Sequence, residues 1–162
     1  MNTGQTLLSI GAFILLSIII LRVNNTLMST DTTVQETKFS VLAVSLASSY
    51  IEDADKLAFD EVTVGNSITD STLLSSHLGP ESGEVHSNFN DFDDFNNYDT
   101  TITDLPSATF QVRCSVSYIN SAYPDVSVNY PTWNKKMTVT VSSPFSKDTV
   151  RLSSIFSYFY FR

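Results

Sequence analysis

The chain opens with an apolar stretch that passes without interruption into an amphipathic one. Residues 7–23 are almost all apolar, and neither Pro nor Gly occurs in residues 12–64, so no strong helix breaker divides this part. From Val34 onward, apolar residues return at spacings of three and four, which is typical of a helix with one buried face. The pattern predicts one long helix from about Leu7 to Ala58.

The middle of this helix is its weakest part. Residues 24–33 are Asn, Thr, Ser and Asp with only two large apolar side chains, and the polar types among them have poor helix propensity. We therefore expect either that packing holds this segment helical or that it is locally extended.

The last third alternates between apolar and polar positions with the period of a half-buried strand. One apolar series is Ala108, Phe110, Val112, Cys114, Val116 and Tyr118, and a second is Met137, Val139 and Val141. A final strand is predicted from Thr149 to about Phe161, and Pro124 to Pro131 is predicted as a loop or edge segment. Three successive strands with short connections predict an antiparallel meander in which Cys114 faces the core.

The final strand is apolar at both even and odd positions. Its aromatic residues are Phe156, Tyr158, Phe159, Tyr160 and Phe161. A strand with two apolar faces is typically buried on both sides. This predicts either a central strand of the meander or a contact with a neighbouring subunit.

Together these elements predict an α+β fold, in which a long N-terminal α-helix packs on a C-terminal antiparallel β-sheet. We divide the chain into a hydrophobic helix (1–23), its amphipathic continuation (24–58), an acidic connection (59–106) and the sheet (107–162). The connection contains no Lys or Arg and is longer than the structureless loops of compact domains. It must therefore wrap the domain or carry its function.

The composition of the chain argues against two classes of binding partner. The 162 residues carry a formal charge of −8 with a pI near 4.4, which argues against binding to nucleic acid or to an anionic lipid surface. Cys114 is the only cysteine, so no internal disulfide can form. The polar composition favours an exported surface.

The apolar stretch has a length close to that of a membrane-spanning helix, which needs about 20 apolar residues. The preceding MNTGQT carries no Lys or Arg, and no small-residue cleavage site follows near Asn24, as a secretory signal would require. We therefore expect the stretch to be retained. It serves either as the anchor of a protein that crosses the membrane once or as a helix that packs against copies of itself.

Helix, connection and sheet, in this order, resemble the type IV pilin and pseudopilin superfamily. The opening GQTLLSIGAFILLSIIIL is similar to the start of those proteins, with Gly4 standing where the prepilin peptidase site lies. AFDE, residues 58–61, and DFDDFNNY, residues 91–98, are similar to the acidic, aromatic-spaced loop of some minor pilins.

The resemblance implies a structural subunit that polymerises with copies of itself and interacts with a pilus-like assembly machinery. It implies an inner-membrane location before assembly and a cell-surface filament afterwards, or, for a pseudopilin, a short secretion fibre. Gly4 and Gln5 are the candidate processing residues. The implied packing residues of the filament core are Leu7, Leu8, Ile10, Phe13, Ile14, Leu15, Ile18, Ile19 and Leu21. Pilins carry a Glu at mature position five, where this chain has Ser9 after cleavage at Gly4, or Gln5 without cleavage.

The acidic connection contains a dense group of oxygen-bearing side chains. Asp91, Asp93, Asp94, Asn96 and Asp99 lie within nine residues, and hard oxygen ligands are what Ca²⁺ prefers. Their spacing does not match an EF-hand. We therefore consider a calcium site and, as the alternative, a solvated acidic loop. In that alternative the loop is anchored on the core by Phe89, Phe92, Phe95 and Tyr98.

Enzymatic signatures are weak. His77, His86 and Cys114 do not have metal-ligand spacing, and neither a nucleophile motif nor a Gly-rich phosphate loop occurs in the sequence. We expect a protein without catalytic activity and without a cofactor other than the calcium ion considered above. A protein anchored once in the membrane, whose domain binds calcium, glycan or a partner, remains the alternative to the filament subunit.

Overall fold

The computed structural model describes residues 2–105 and 108–159. It contains one long helix, α1 (Thr3–Ala54), and an antiparallel sheet of five strands. The strands are β1 (Asp99–Ile102), β2 (Phe110–Asn120), β3 (Tyr123–Val128), β4 (Asn134–Ser142) and β5 (Val150–Ser157). The predicted α+β class, with an N-terminal helix and a C-terminal antiparallel sheet, is confirmed.

Helix α1 begins four residues earlier and ends four residues earlier than the pattern predicted. Its weak middle is helical throughout, so the locally extended alternative for residues 24–33 is wrong. The hydroxyl of Thr26 donates to the carbonyl of Arg22 at 2.9 Å, and that of Thr30 donates to the carbonyl of Thr26 at 2.9 Å. These hydroxyls bond to the helix itself instead of competing with it.

The chain divides into two units after Lys38. The first unit is the N-terminal part of α1. The second contains the remainder of α1, the acidic connection and the sheet, and it holds the hydrophobic core.

The sheet has the order β1-β2-β4-β5, with β3 paired to the end of β2. Cys114 on β2 lies opposite Val139 on β4, which in turn lies opposite Leu152 on β5. Strands β2, β4 and β5 therefore form the predicted meander. The segment at Pro124 is paired at the margin of the sheet, which agrees with its prediction as a loop or edge segment because Pro is tolerated there.

Strand β5 lies at the margin of the described sheet, so its prediction as a central strand is wrong. From Val150 to Ile155 its side chains alternate between half-buried and exposed, with Ile155 49% exposed, and Phe156 is buried. Tyr158 and Phe159 follow the strand in a turn, while Tyr160 and Phe161 lie outside the described residues. Aromatic content alone did not distinguish an edge strand from a central one.

The core brings three alanines of α1 against the inward faces of the strands. Ala43, Ala47 and Ala54 are buried, and the small side chains let the helix backbone approach its neighbours. Cys114 faces this core as predicted, and burial raises the pKa of its thiol to about 12. The thiol is therefore protonated at neutral pH.

The acidic connection is ordered by short turns and one strand. Its 3₁₀ turns are Glu61–Thr63, Ser71–Leu73, His86–Asn88 and Asp93–Phe95. Asp60 and Asp70 cap the first two by accepting from the backbone N–H groups of Val62 and Thr72, the usual role of Asp at a helical start. The connection wraps the domain, and it supplies strand β1, which the polar sequence DTTI did not indicate.

Candidate functional site

The first candidate site is the apolar helix segment, residues 7–23 of α1. Its large apolar side chains are between 49% exposed, at Ile19, and 77% exposed, at Leu8. The nine predicted packing residues, with Gly4 and Gln5 before them, all lie on this helix. By length and composition, α1 is the one helix in the described chain able to cross a membrane.

The polar side chains of this segment bond to their own helix. Ser9 donates to the carbonyl of Gln5 at 3.0 Å, and Ser17 donates to that of Phe13 at 2.8 Å. Both hydroxyl protons are therefore paired without water, which suits burial in lipid or against another helix. Around Gly11 there is open space, and a small residue allows close helix approach.

The second candidate site is the acidic connection, in which the aspartates at 91, 93 and 94 are buried. Asp91, Asp93 and Asp94 are 1–2% exposed, so the predicted solvated loop is wrong for these three residues. The predicted anchoring is confirmed, since Phe92 and Phe95 are buried and Phe89 and Tyr98 pack against the same core. The aromatic residues draw the aspartates between them into the interior.

A buried lysine lies among these aspartates. Lys135 of β4 is 0% exposed, as is Asp60. Its ammonium donates to the carbonyl of Phe59 at 2.6 Å, to Oδ2 of Asp60 at 2.9 Å and to Oδ1 of Asp93. We call Lys135, Asp60, Asp91 and Asp93 the Lys135 cluster. All three protons of the ammonium have acceptors, which buried charges require.

Asp60 is the most strongly held carboxylate of the cluster. It accepts from the N–H and hydroxyl of Ser75 and from the hydroxyl of Tyr118, in addition to Val62 and Lys135. Burial works to raise the pKa of Asp60, but the ammonium of Lys135 and the donors of Ser75 outweigh it and lower the pKa. Asp60 is therefore charged at neutral pH.

Asp91 differs from Asp60 in that its pKa is raised and not lowered. Its Oδ1 accepts from the backbone N–H groups of Asp93 at 2.8 Å and Asp94 at 3.2 Å. Burial, together with the neighbouring carboxylates of Asp93 and Asp94, raises its pKa to about 8. Burial likewise raises the pKa of Asp93, although Lys135 opposes this. The cluster thus joins one carboxylate whose pKa is lowered, Asp60, to two whose pKa is raised, Asp91 and Asp93.

The five predicted calcium ligands are not gathered at one point. Asn96 is engaged at both ends of its amide, donating to the carbonyl of Leu78 and accepting from the N–H of Val116, each at 2.9 Å. Asp99 lies exposed on β1 and pairs with Arg113 at 2.9 Å. Asp93 faces a lysine. A calcium site formed by all five would require these bonds to be exchanged.

The structure groups the acids differently. Carboxylate oxygens of Asp94, Glu81 and Glu84 lie within 4.8 Å of one another, as do those of Asp91, Glu61 and Glu81. Burial, and then the adjacent Glu84, raises the pKa of Glu81 to about 7. Calcium binding in this region stays a prediction, and Glu81 and Glu84 replace Asn96 and Asp99 as the neighbours of the aspartates.

Sequence reasoning missed Lys135 and Asp60. The signal for Lys135 was present, because the period-two series of Met137, Val139 and Val141 extends back onto residue 135. The inward position of a lysine predicts a buried acid opposite it. Nothing local to Asp60, which is 75 residues away along the chain, marks it as that partner.

The fold and the apolar helix segment define an α+β protein with an N-terminal helix fit to enter a membrane. Comparison of the chain with protein-family models, curated proteins and solved structures returned no match.

Proposed function

We propose that this protein is a structural subunit of an extracellular filament similar to a type IV pilus. The observation that carries the proposal is the exposure of the apolar helix segment. Apolar side chains such as Leu8, Phe13 and Leu15 are each more than 60% exposed. A helix that is apolar on all sides needs a surrounding of lipid or of other helices.

Helix packing holds such a filament together once it is outside the membrane. Removal of apolar surface from water is worth about 25 cal/mol per Å², and residues 7–23 expose large side chains along their whole length. Within a membrane, lipid already surrounds these side chains, so transfer into a filament exchanges one apolar surrounding for another. Assembly from the membrane then requires a machine that drives the transfer. A contact between copies that repeats without closing produces a helical filament.

The second unit suits the outside of such a filament. It carries most of the acidic residues and has its own core, so it does not depend on the apolar helix segment for its packing. Its charge keeps neighbouring filaments apart in solution. The order of helix, acidic connection and sheet resembles the pilin superfamily, which supports the same function.

The test is electron microscopy of material sheared from cells, with mass spectrometry of the same fraction. We expect thin filaments that contain this chain, and the mass of its N-terminal peptide will distinguish a start at Met1 from a start at Gln5. Labelling the filaments with an antibody against the second unit will show whether this chain runs along their length. Short fibres that stay with the envelope would indicate a pseudopilin.

The second candidate function is that of a protein anchored once in the membrane that never polymerises. It is favoured by the same helix, which is long and apolar enough to cross a membrane. Its acidic connection would then bind calcium or a partner. Recovery of the whole chain in the membrane fraction, with filaments that lack it, would establish this alternative and contradict the filament proposal.

A further inference from the structure

The Lys135 cluster places an amine against two carboxylates in a region closed to water. The ammonium nitrogen of Lys135 contacts Oδ1 of Asp93, one covalent bond away from the carboxyl carbon, and lies 2.9 Å from Oδ2 of Asp60. All three side chains are 0–3% exposed. The structure therefore places the amine of Lys135, a nucleophile, beside the carboxyl group of Asp93 and the carboxylate of Asp60.

Aromatic rings enclose this point. The Lys135 nitrogen lies 4.6 Å from the centre of the Phe59 ring and 5.3 Å from that of Tyr118. Phe92, beside Asp93 in sequence, is fully buried. Ionised groups lose their hydration in such a place, and the attraction between them often fails to repay that loss. Burial raises the pKa of the Asp93 carboxyl, which favours the transfer of a proton to it.

The two carboxylates are held very differently. Asp60 receives hydrogen bonds from Val62, Ser75 and Tyr118 besides Lys135. Asp93 receives one from Lys135 and one, at 3.3 Å, from the N–H of Gly79. Asp60 is thus fixed as a charged base, while the carboxyl of Asp93 has few bonds to lose if its chemistry changes.

We propose that Lys135 and Asp93 condense into an intramolecular amide, with Asp60 as the catalytic proton carrier. A proton passes from the ammonium to the carboxylate of Asp93, and the free amine attacks its carboxyl carbon. Asp60 removes a proton from the attacking nitrogen and delivers it to the departing hydroxyl. The C–N bond forms, the C–OH bond breaks, one water leaves and Asp60 is regenerated. No oxidant or external reactant is needed.

The amide joins strand β4 to the acidic connection. Asp93 belongs to the turn Asp93–Phe95, and Lys135 is the second residue of β4, 42 positions further along the chain. The connection is thereby tied covalently to the sheet in a protein whose one cysteine cannot form an internal bridge. This inference concerns the second unit and does not depend on filament formation.

The test is mass spectrometry of the full-length protein after tryptic digestion. The sequence has no Lys or Arg between Lys56 and Arg113, and Lys135 is followed by Lys136. The amide blocks cleavage after Lys135, so we expect peptide 57–113 joined to peptide 114–136, lighter than their sum by one water. Separate peptides of full mass, with cleavage after Lys135, would overturn the proposal without any variant.

Two variants test the roles of the aspartates. Asp93→Asn can still react, losing ammonia instead of water, and its joined product has the same mass as the wild-type product. Asp60→Asn keeps the shape but removes the base, so we expect the linkage to be lost. An Asp60→Asn protein that forms the amide at the wild-type rate would contradict the catalytic role of Asp60. Lys136→Arg, in the neighbouring position, is the matched control and retains the linkage.

Discussion

The apolar helix segment and the Lys135 cluster depart in opposite ways from the usual distribution of side chains, in which apolar groups are buried and charges exposed. Along residues 7–23, large apolar side chains are exposed, whereas Lys135 and Asp60 are both 0% exposed. The charges find their partners within the chain, through Asp93, Ser75 and Tyr118. The apolar side chains have no such cover in the described structure. The Lys135 cluster is therefore satisfied by contacts within the chain, whereas the apolar helix segment needs lipid or other helices around it.

The largest effect is expected from placing a charge in the apolar helix segment. An aspartate at the centre of a membrane helix costs about 3 kcal/mol, and in a filament every subunit would carry this cost. We expect Ile14→Asp to abolish filaments, seen by electron microscopy, while the thermal unfolding of the second unit is unchanged. Val126→Asp is the matched control, because Val126 is 59% exposed and Ile14 is 57% exposed. Unaltered filaments in the Ile14→Asp strain would contradict the proposed function.

The second-largest effect is the loss of stability expected on substitution of Lys135, compared with that of its neighbour Lys136 on β4. Lys135→Met removes the cation of the buried carboxylates and, with it, the group that would form the proposed amide. Breaking a buried ion pair alone typically costs about 3–5 kcal/mol. Lys136 pairs with Asp125, whose side chain is 92% exposed, and an exposed pair contributes at most about 1 kcal/mol. Urea unfolding of Lys135→Met, of Lys136→Met and of the wild type measures the loss in the free energy of unfolding that each substitution causes. Equal loss in both variants would show that the interior position of Lys135 is unimportant for stability.

The smallest effect is the dependence of stability on pH. The folded protein raises the pKa of Asp91 to about 8, so between roughly pH 4 and pH 8 the folded state binds more protons than the unfolded state. Its stability therefore falls as the pH rises through this range. Asp60 acts in the opposite direction, since its pKa is lowered and its contribution is lost as the pH falls below roughly 4. We expect the highest melting temperature at mildly acidic pH.

Asp91→Asn sharpens this pH test. The amide oxygen of an asparagine can still accept from the N–H groups of Asp93 and Asp94, while the titrating carboxyl is removed. We expect the decline in melting temperature between pH 5 and pH 8 to become shallower in this variant. An identical slope in the wild type and the variant would show that Asp91 is not the group responsible.

The periodicity of apolar residues predicted which segments form helices and strands better than it predicted which strands lie next to each other. The apolar run and the period-two series identified α1, β2 and β4, because both patterns arise within a single element. β1 was missed since DTTI has no apolar face of its own and is held by pairing with β2. The edge position of β5 depends on which strands pair, and aromatic content does not reveal this.

The same distinction between local and long-range features applies to the two candidate sites. The apolar helix segment could be predicted because it is contiguous. The Lys135 cluster could not, because its members come from three separate parts of the chain, and the inward position of Lys135 does not identify which acids lie beside it. The density of aspartates suggested a metal, whereas the structure places a lysine beside Asp60 and Asp93. An acidic stretch read in isolation does not show which cation balances it.

The separation of Asp60 and Lys135 by 75 positions also bears on when the domain can fold. Contacts between distant residues form only after the intervening chain is available, and such contacts slow folding. During synthesis, the aspartates of the Lys135 cluster do not have Lys135 as a partner until β4 has been made. Helix α1, made of local contacts, is complete long before. The helix can therefore be placed in a membrane while the rest of the molecule is still open.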